Sequence, residues 1–470
     1  MPDEVIAPRL KTTAGEMVWN ARVVCAVPVI CGNIEPFPSP VKACPMLCRW
    51  WILLCLVCCM GSVNLSAAEN EFPEIAASDW PWWRGLQRNG IAPADQLPPV
   101  KWSETENVAW KVPVPGKGHG SPIVIGDHVL LQTADNEHQV QSVLCFDRHN
   151  GKVVWKTAVH EGDLNIKQNA KSTMANSTPA TDGKLIFVNF LHDGAVYTTA
   201  LDRGGHRVWQ RKIADFVLHQ GFSSSPAIYK TAVIVSADSK VIGGSLTALD
   251  RQTGNVMWTR SRPKLPNYTS PIVLNVAGRD QVLFTGCNLV TSLDPLTGEE
   301  LWEMSGSTEE CVTSTVTDGK HIFTSGGYPK NHLAAVVADG SNKVSWENTS
   351  RVYVPSMIAK DGILYGVLDA GVAACWRTDT GEELWKNRVG GTFSSSLVMA
   401  GNNLYATNEE GQTFVFKAQP KAFELVAENK LGDEVFATPA LCHGCLYHRV
   451  AHNVDGKRQE FLYCIEGAGK

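Results

Sequence analysis

One short phrase recurs along this chain, and its recurrence limits the fold more than any other feature. LDPLTGEELW (Leu293 to Trp302) has counterparts in FDRHNGKVVW (Phe146 to Trp155), LDRGGHRVW (Leu201 to Trp209), LDRQTGNVMW (Leu249 to Trp258), ADGSNKVSW (Ala338 to Trp346) and TDTGEELW (Thr378 to Trp385). A phrase that returns at a regular period is a structural unit rather than a single active site. Its residues explain themselves without a ligand. The Asp accepts backbone N–H bonds across a turn, the Gly permits a left-handed turn, and the indole covers the apolar face of a neighbouring unit.

A second phrase lies between the first. It starts at Gly120 (GSPIVIGDHVLL), Asn176, Ser223, Tyr268, Val312, Val354, Ser394 and Phe436. Each copy is a short apolar run, a Gly-Asp, Asp-Gly or Gly-Asn type of turn, and a second β-rich run, which reads as a hairpin. The Leu-Asp run adds a third strand and the Trp lies on a fourth. Four strands per period of roughly 45 residues, repeated eight times, predict an all-β chain folded as one eight-bladed β-propeller.

The ends predict closure of the ring. The last copy continues into FLYCIEG (Phe461 to Gly467) with no Trp strand after it, and ENVAWKVPVPG (Glu106 to Gly116) is a Trp strand with no blade before it. Pairing the two completes one blade and leaves the ring without a gap. The blade-docking slots are then Trp110, Trp155, Trp209, Trp258, Trp302, Trp346 and Trp385, with the copy near Val426 lacking its Trp.

Upstream, MLCRWWILLCLVCCMGSVNLSAAEN has one positive charge, an apolar run and a small-residue end at Ser66-Ala67-Ala68. That order reads as a cleaved secretory signal over 46–68, and the run falls short of the roughly 20 apolar residues a membrane span needs. Residues 1–45 read as a start-site artefact or a disordered segment, 69–104 as an extended Pro-rich, aromatic arm over the ring, and 105–470 as the propeller. The chain is expected in the periplasm, the cell envelope or outside the cell, as a monomer. A net charge of −5 without a Lys/Arg run argues against a nucleic-acid partner.

The repeat phrases, with DWPWWRGLQRNGIA (Asp79 to Ala92) and the terminal LYCIEG, resemble the pyrroloquinoline-quinone-like (PQQ-like) repeat family over about Asp79 to Gly467. Tryptophan-docked blades of that family occur in quinoprotein dehydrogenases, in the outer-membrane assembly lipoprotein group, and in exported propellers without assigned activity. The dehydrogenases would imply a quinone clamped by a Trp and a disulfide of adjacent cysteines, with Ca²⁺ and an Asp base. Here the sole Cys-Cys pair is Cys58-Cys59, inside the signal segment, and no Cys-x-x-Cys-His is present. Asp369 and Asp433 stand isolated and read as turn residues.

No nucleophile elbow, phosphate loop or His-Glu-x-x-His occurs, so no catalytic residue is assigned. Cys442 and Cys445 flank a two-residue turn and read as a cross-hairpin disulfide or a reduced pair rather than a metal site, because further ligands at zinc spacing are missing. What remains is the mouth of the ring, where His119, Asn176, Phe222, Tyr268, Tyr353, Phe393 and Phe436 precede the innermost strands. The expected function is a protein-binding scaffold at the envelope, or a holder of a small polar ligand, with no cofactor. The alternative is a quinone-dependent oxidoreductase or quinone-binding protein using PQQ and Ca²⁺.

Overall fold

The computed structural model describes residues 75–467, so the signal segment and everything before it lie outside the described residues. Within 75–467 there is no helix, and the strands form eight four-stranded antiparallel sheets. Blade 1 is built from Ile123–Ile125, His128–Asp135, Val140–Asp147 and Val153–Glu161. Blades 2 to 7 follow in sequence order over 180–215, 227–262, 272–305, 316–348, 358–388 and 398–430. Blade 8 takes three strands from the C-terminal end, Ala440–Cys442, Cys445–Val454 and Lys457–Glu466, and its outer strand, Val108–Val114, from the N-terminal side. Trp110 pairs with Cys464, closing the ring as the sequence predicts.

The recurrent phrase does the same work at successive blades. Each outer strand carries a bulge, so that Trp155 pairs with Cys145, Trp209 with Ala200, Trp258 with Ala248 and Trp385 with Cys375. The extra residue tips the indole off its own sheet and onto the next blade. There it lies over the turn glycine: a β-carbon on Gly205 would meet Trp155 at 2.7 Å, and one on Gly298 would meet Trp258 at 2.5 Å. Gly298 also has φ +71°, so the position needs glycine for both backbone and space. The indole N–H donates to the same turn, Trp155 Nε1 to Arg203 O at 2.9 Å and Trp346 Nε1 to Thr378 O at 2.9 Å. Asp250 and Asp294 accept the turn N–H groups, as the phrase implies.

Blade 7 departs from this pattern. Its bulge falls at Val426, so Ala427 occupies the Trp position, paired with Val415. Blade 8 has no chain turn between its third and fourth strands, because these come from opposite ends of the chain, and so offers no glycine for an indole. Trp102 of the arm covers the place instead. It is buried, stacks on Tyr405 at 6.3 Å, and its backbone N–H donates to Asn429 Oδ1 at 2.9 Å.

The arm is not a single extended run. Residues 82–90 fold into successive turns across one end of the channel. Trp80 bridges Val124 in blade 1, Arg88 donates to Ile228 O in blade 3, Arg84 to Met357 O beside blade 6, and Ile91 bridges Met399 in blade 7. A Pro-rich stretch cannot form a ladder of its own, so its polar groups are satisfied singly, by the blade edges it crosses.

Candidate functional site

The repeated Ser/Thr that opens each innermost strand becomes a ring of hydroxyls. Ser121, Thr178, Ser225, Ser270, Ser314, Ser356, Ser396 and Thr438 are all buried, and all face the central channel. Backbone N–H groups link neighbouring blades through them: Ser121 N to Thr178 Oγ1 at 3.0 Å, Thr178 N to Ser225 Oγ at 2.9 Å, and Ser225 N to Ser270 Oγ at 2.9 Å. The same links run from Ser314 to Ser356, Ser356 to Ser396 and Ser396 to Thr438. Ser314 Oγ accepts instead from Trp83 Nε1 at 2.7 Å. The arm therefore contributes the Trp83 indole to the floor of the channel.

Above that floor is a cavity of about 620 Å³, within the range of small-molecule sites. His119, Asn176, Phe222, Tyr268, Tyr353 and Phe436 line it. Phe393 does not. It is 1% exposed and packs against Phe414 at 6.3 Å, while Ser394 and Ser396 face the cavity in that blade. The residues ahead of Val398–Ala400 run as irregular chain, and there the Phe393 ring turns into the hydrophobic core while Ser394 and Ser396 keep to the cavity side.

Two polar clusters flank the cavity. On one side His219 Nδ1 lies 3.0 Å from the Tyr268 hydroxyl and 3.8 Å from Glu310 Oε1, Lys240 Nζ lies 3.3 Å from His219 Nε2, and Tyr353 donates its hydroxyl to Glu310 Oε2 at 3.3 Å. Burial raises the Glu310 carboxyl above its ordinary range, against the lowering effect of His219 and Tyr353. Burial, then the Glu310 charge, pushes both phenols up. On the other side His119 stacks on Phe436 at 4.2 Å. Burial, with Lys117, Arg449 and Arg458 behind it, holds the His119 ring well below its usual pKa, so it is neutral at pH 7. Its Nε2 is buried without a hydrogen-bond partner.

The long insertion over 160–177 belongs to this site. Asn169, Lys171, Ser172 and Asn176 line the mouth, and Lys171 reaches past blade 8 to Glu409 of blade 7, Nζ to Oε2 at 2.7 Å. Asn176 holds the insertion in shape by accepting from Thr173 N at 2.9 Å and donating to Phe222 O at 3.1 Å. Sequence reasoning missed Trp83, Lys171, Lys240, Glu310, Arg351 and the hydroxyl ring. The ring was visible as a Ser or Thr at one position of every copy; the charged residues sit in loops that differ between copies and carry no such signal.

The lining does not fit a Ca²⁺-held quinone. Ca²⁺ takes six to eight oxygens, rich in carboxylate, whereas Glu310 is the one carboxylate among the described lining residues and already serves Tyr353 and His219. Asp369 and Asp433 are elsewhere and partnered, accepting from Tyr353 N and Asn453 N, both at 2.8 Å. Neither histidine of the cavity is hydrogen-bonded to a serine among the described residues. Cys442 and Cys445 are free thiols, not a disulfide. The Cys442 thiol donates to Ser78 O at 2.7 Å and Cys445 interacts with Cys464, so each sulfur has a partner on another strand or on the arm.

Comparison with known proteins bears on this geometry. The family model described as outer membrane protein assembly factor BamB matches residues 99–217, 180–387 and 360–421. The outer membrane protein assembly factor BamB of Burkholderia pseudomallei is 27% identical over 289 residues, covering 58% of this chain and 66% of the relative. That of Yersinia pestis is 22% identical, covering 52% of this chain and 54% of the relative. The chain thus spans less than two thirds of the length of these relatives. Among solved structures, BamB from Moraxella catarrhalis superposes with a TM-score of 0.53 at 14% identity, covering 76% of this chain and 96% of that one. Quinohemoprotein alcohol dehydrogenase from Comamonas testosteroni gives 0.59 at 13% identity, covering 84% and 81%. At such identities the structural likeness speaks for the fold alone.

Proposed function

This chain belongs to the outer membrane protein assembly factor BamB family, and from that premise we propose that it is an exported scaffold that binds a protein partner at the cell envelope through the open mouth of the ring. One observation carries the reading: the two ends of the channel differ. The arm crosses one end, where Trp83 lines the cavity, and the other opens between loops that carry exposed aliphatic side chains. Val217, Val241 and Ile242 are 42%, 59% and 46% exposed, and they share loops with His219 and Lys240; Tyr328, at the mouth itself, is 50% exposed. Large apolar side chains gathered at a polar-rimmed concavity suit a protein contact. Lys171, Lys240 and Arg351 beside them suit an extended segment that brings a carboxylate with its apolar residues.

A photoreactive residue at Ile242, compared with one at Val208 on an outer blade edge, tests this in envelopes of the producing cell. The expected result is a discrete crosslinked partner from position 242 that disappears in Val241→Asp. Crosslinks from position 208 alone would move the contact to the strand edges and defeat the reading. A second reading, a small anionic ligand in the cavity, draws support from Lys240 and Arg351 in its lining and from the unpartnered Nε2 of His119. It predicts a thermal shift with a carboxylated aromatic that Lys240→Ala removes.

A further inference from the structure

The first hairpin of blade 8 turns at His443 and Gly444 between the paired residues Cys442 and Cys445. In the sequence this turn lacks the further ligands a metal needs. The fold supplies one from the far end of the chain. Asp79 of the arm packs against the turn, and its carboxylate, the Cys442 sulfur and a His443 ring nitrogen all lie within 4.8 Å of one another. Asp79 and Cys442 are 3% and 1% exposed, whereas the His443 side chain is 26% exposed and leaves a way in from solvent. His443 Nε2 is buried without a hydrogen-bond partner, 3.5 Å from Asp79 Oδ1. Tetrahedral zinc, with bonds of 2.0–2.3 Å, holds its donor atoms roughly 3.3–3.6 Å apart.

We propose that Asp79, Cys442 and His443 form a binding site for one divalent transition-metal ion of the zinc class, with the fourth position left to water. A thiolate, an imidazole and a carboxylate favour zinc and its neighbours over Ca²⁺ or Mg²⁺, which take oxygen. The outer contacts orient the ligands: Asp79 Oδ1 accepts from Gly126 N at 3.0 Å and Oδ2 from Ala76 N at 3.1 Å. Burial pushes the Cys442 thiol well above its ordinary pKa, so without metal the sulfur keeps its proton and donates to Ser78 O. On binding, the sulfur turns to the ion and that proton passes to solvent. The ion ties together the arm, the turn of the closing blade and, through Gly126, the first hairpin of blade 1. It is thus a clamp on the seam where the two ends of the chain meet.

The full chain, stripped with chelator and kept in reductant, is titrated with Co²⁺ alone. The expected result is one equivalent bound with a near-ultraviolet thiolate-to-cobalt band, displaced by Zn²⁺, lost in Cys442→Ser and kept in Cys445→Ser. Asp79→Asn and His443→Gln each weaken binding at least about 10-fold. Circular dichroism separates loss of binding from loss of fold; should Asp79→Asn unfold, His443→Gln on the half-exposed turn carries the test. No thiolate band at saturating Co²⁺, a band that survives Cys442→Ser, or unchanged affinity in the folded His443→Gln protein overturns the site.

Discussion

The junction between blades 3 and 4 and the junction between blades 7 and 8 solve one problem by different means. At the first, Trp258 reaches from blade 3 to lie on Gly298 and donates its indole N–H to Pro295 O at 3.2 Å. At the second, Ala427 leaves the slot open and Trp102 fills it from the arm, with its indole nitrogen buried and unpartnered. The regular junction is made by the repeat itself. The closing junction depends on a segment outside the repeat, because blade 8 has no turn to receive an indole. A propeller closed by strand exchange between its ends therefore needs extra chain at the seam, and here the arm is part of the fold.

The largest test of this contrast removes the substitute. Trp102→Ala should cost about 3–5 kcal/mol and release the arm to protease, read from chemical denaturation and limited proteolysis. Trp155→Ala, at a part-exposed regular junction, should cost less and leave the arm protected; the reverse order would break the comparison. Acid should also find the seam first. Burial lowers His448, on the second strand of blade 8, to about 4 from 6.5, with both ring nitrogens unpartnered. Its folded pKa lies below the unfolded one, so unfolding takes up a proton. The stability is present above about pH 6.5 and is lost as pH falls towards 4, on the order of 3 kcal/mol. Hydrogen exchange at pH 5 should show Val108–Val114 opening before the outer strand of blade 3, and His448→Gln should flatten the pH dependence.

A finer test compares two glycines. Gly298→Ala adds a β-carbon 2.5 Å from Trp258 at φ +71° and should cost about 1–3 kcal/mol. Gly340→Ala, where Trp302 stands 3.5 Å away, should cost less, because only the backbone strain remains. Equal losses in thermal unfolding would mean that the turn conformation, rather than the indole contact, sets the requirement. The smallest effect belongs to charge at the same junction. Arg260 pairs with Glu300 across blades 3 and 4 in a largely solvated setting, so Arg260→Ala should change stability by no more than about 1 kcal/mol. A larger loss would shift the junction's stability from the indole to the ion pair.

How much of this was written in the chain follows from what repeats. Periodic residues are placed by local rules: Gly in a positive-φ turn, Asp accepting its N–H groups, Trp on a strand edge. Eight recurrences therefore determined the blade count and the closure of Val108–Val114 onto Lys457–Glu466. Six of the seven positions named at the ring mouth line the cavity, and Phe393 was misplaced because it lies in irregular chain ahead of its strand, where no period fixes which way a side chain turns. Contacts between distant segments had no period to betray them. Nothing in the sequence pairs Trp83 with Ser314, Trp102 with Ala427 or Asp79 with Cys442, since each meeting is produced by ring closure bringing the arm across blades far from it in the chain. The sequence by itself determined the ring; only the tertiary structure decided which end of it the arm crosses, what floors the cavity and which side chains meet at the seam.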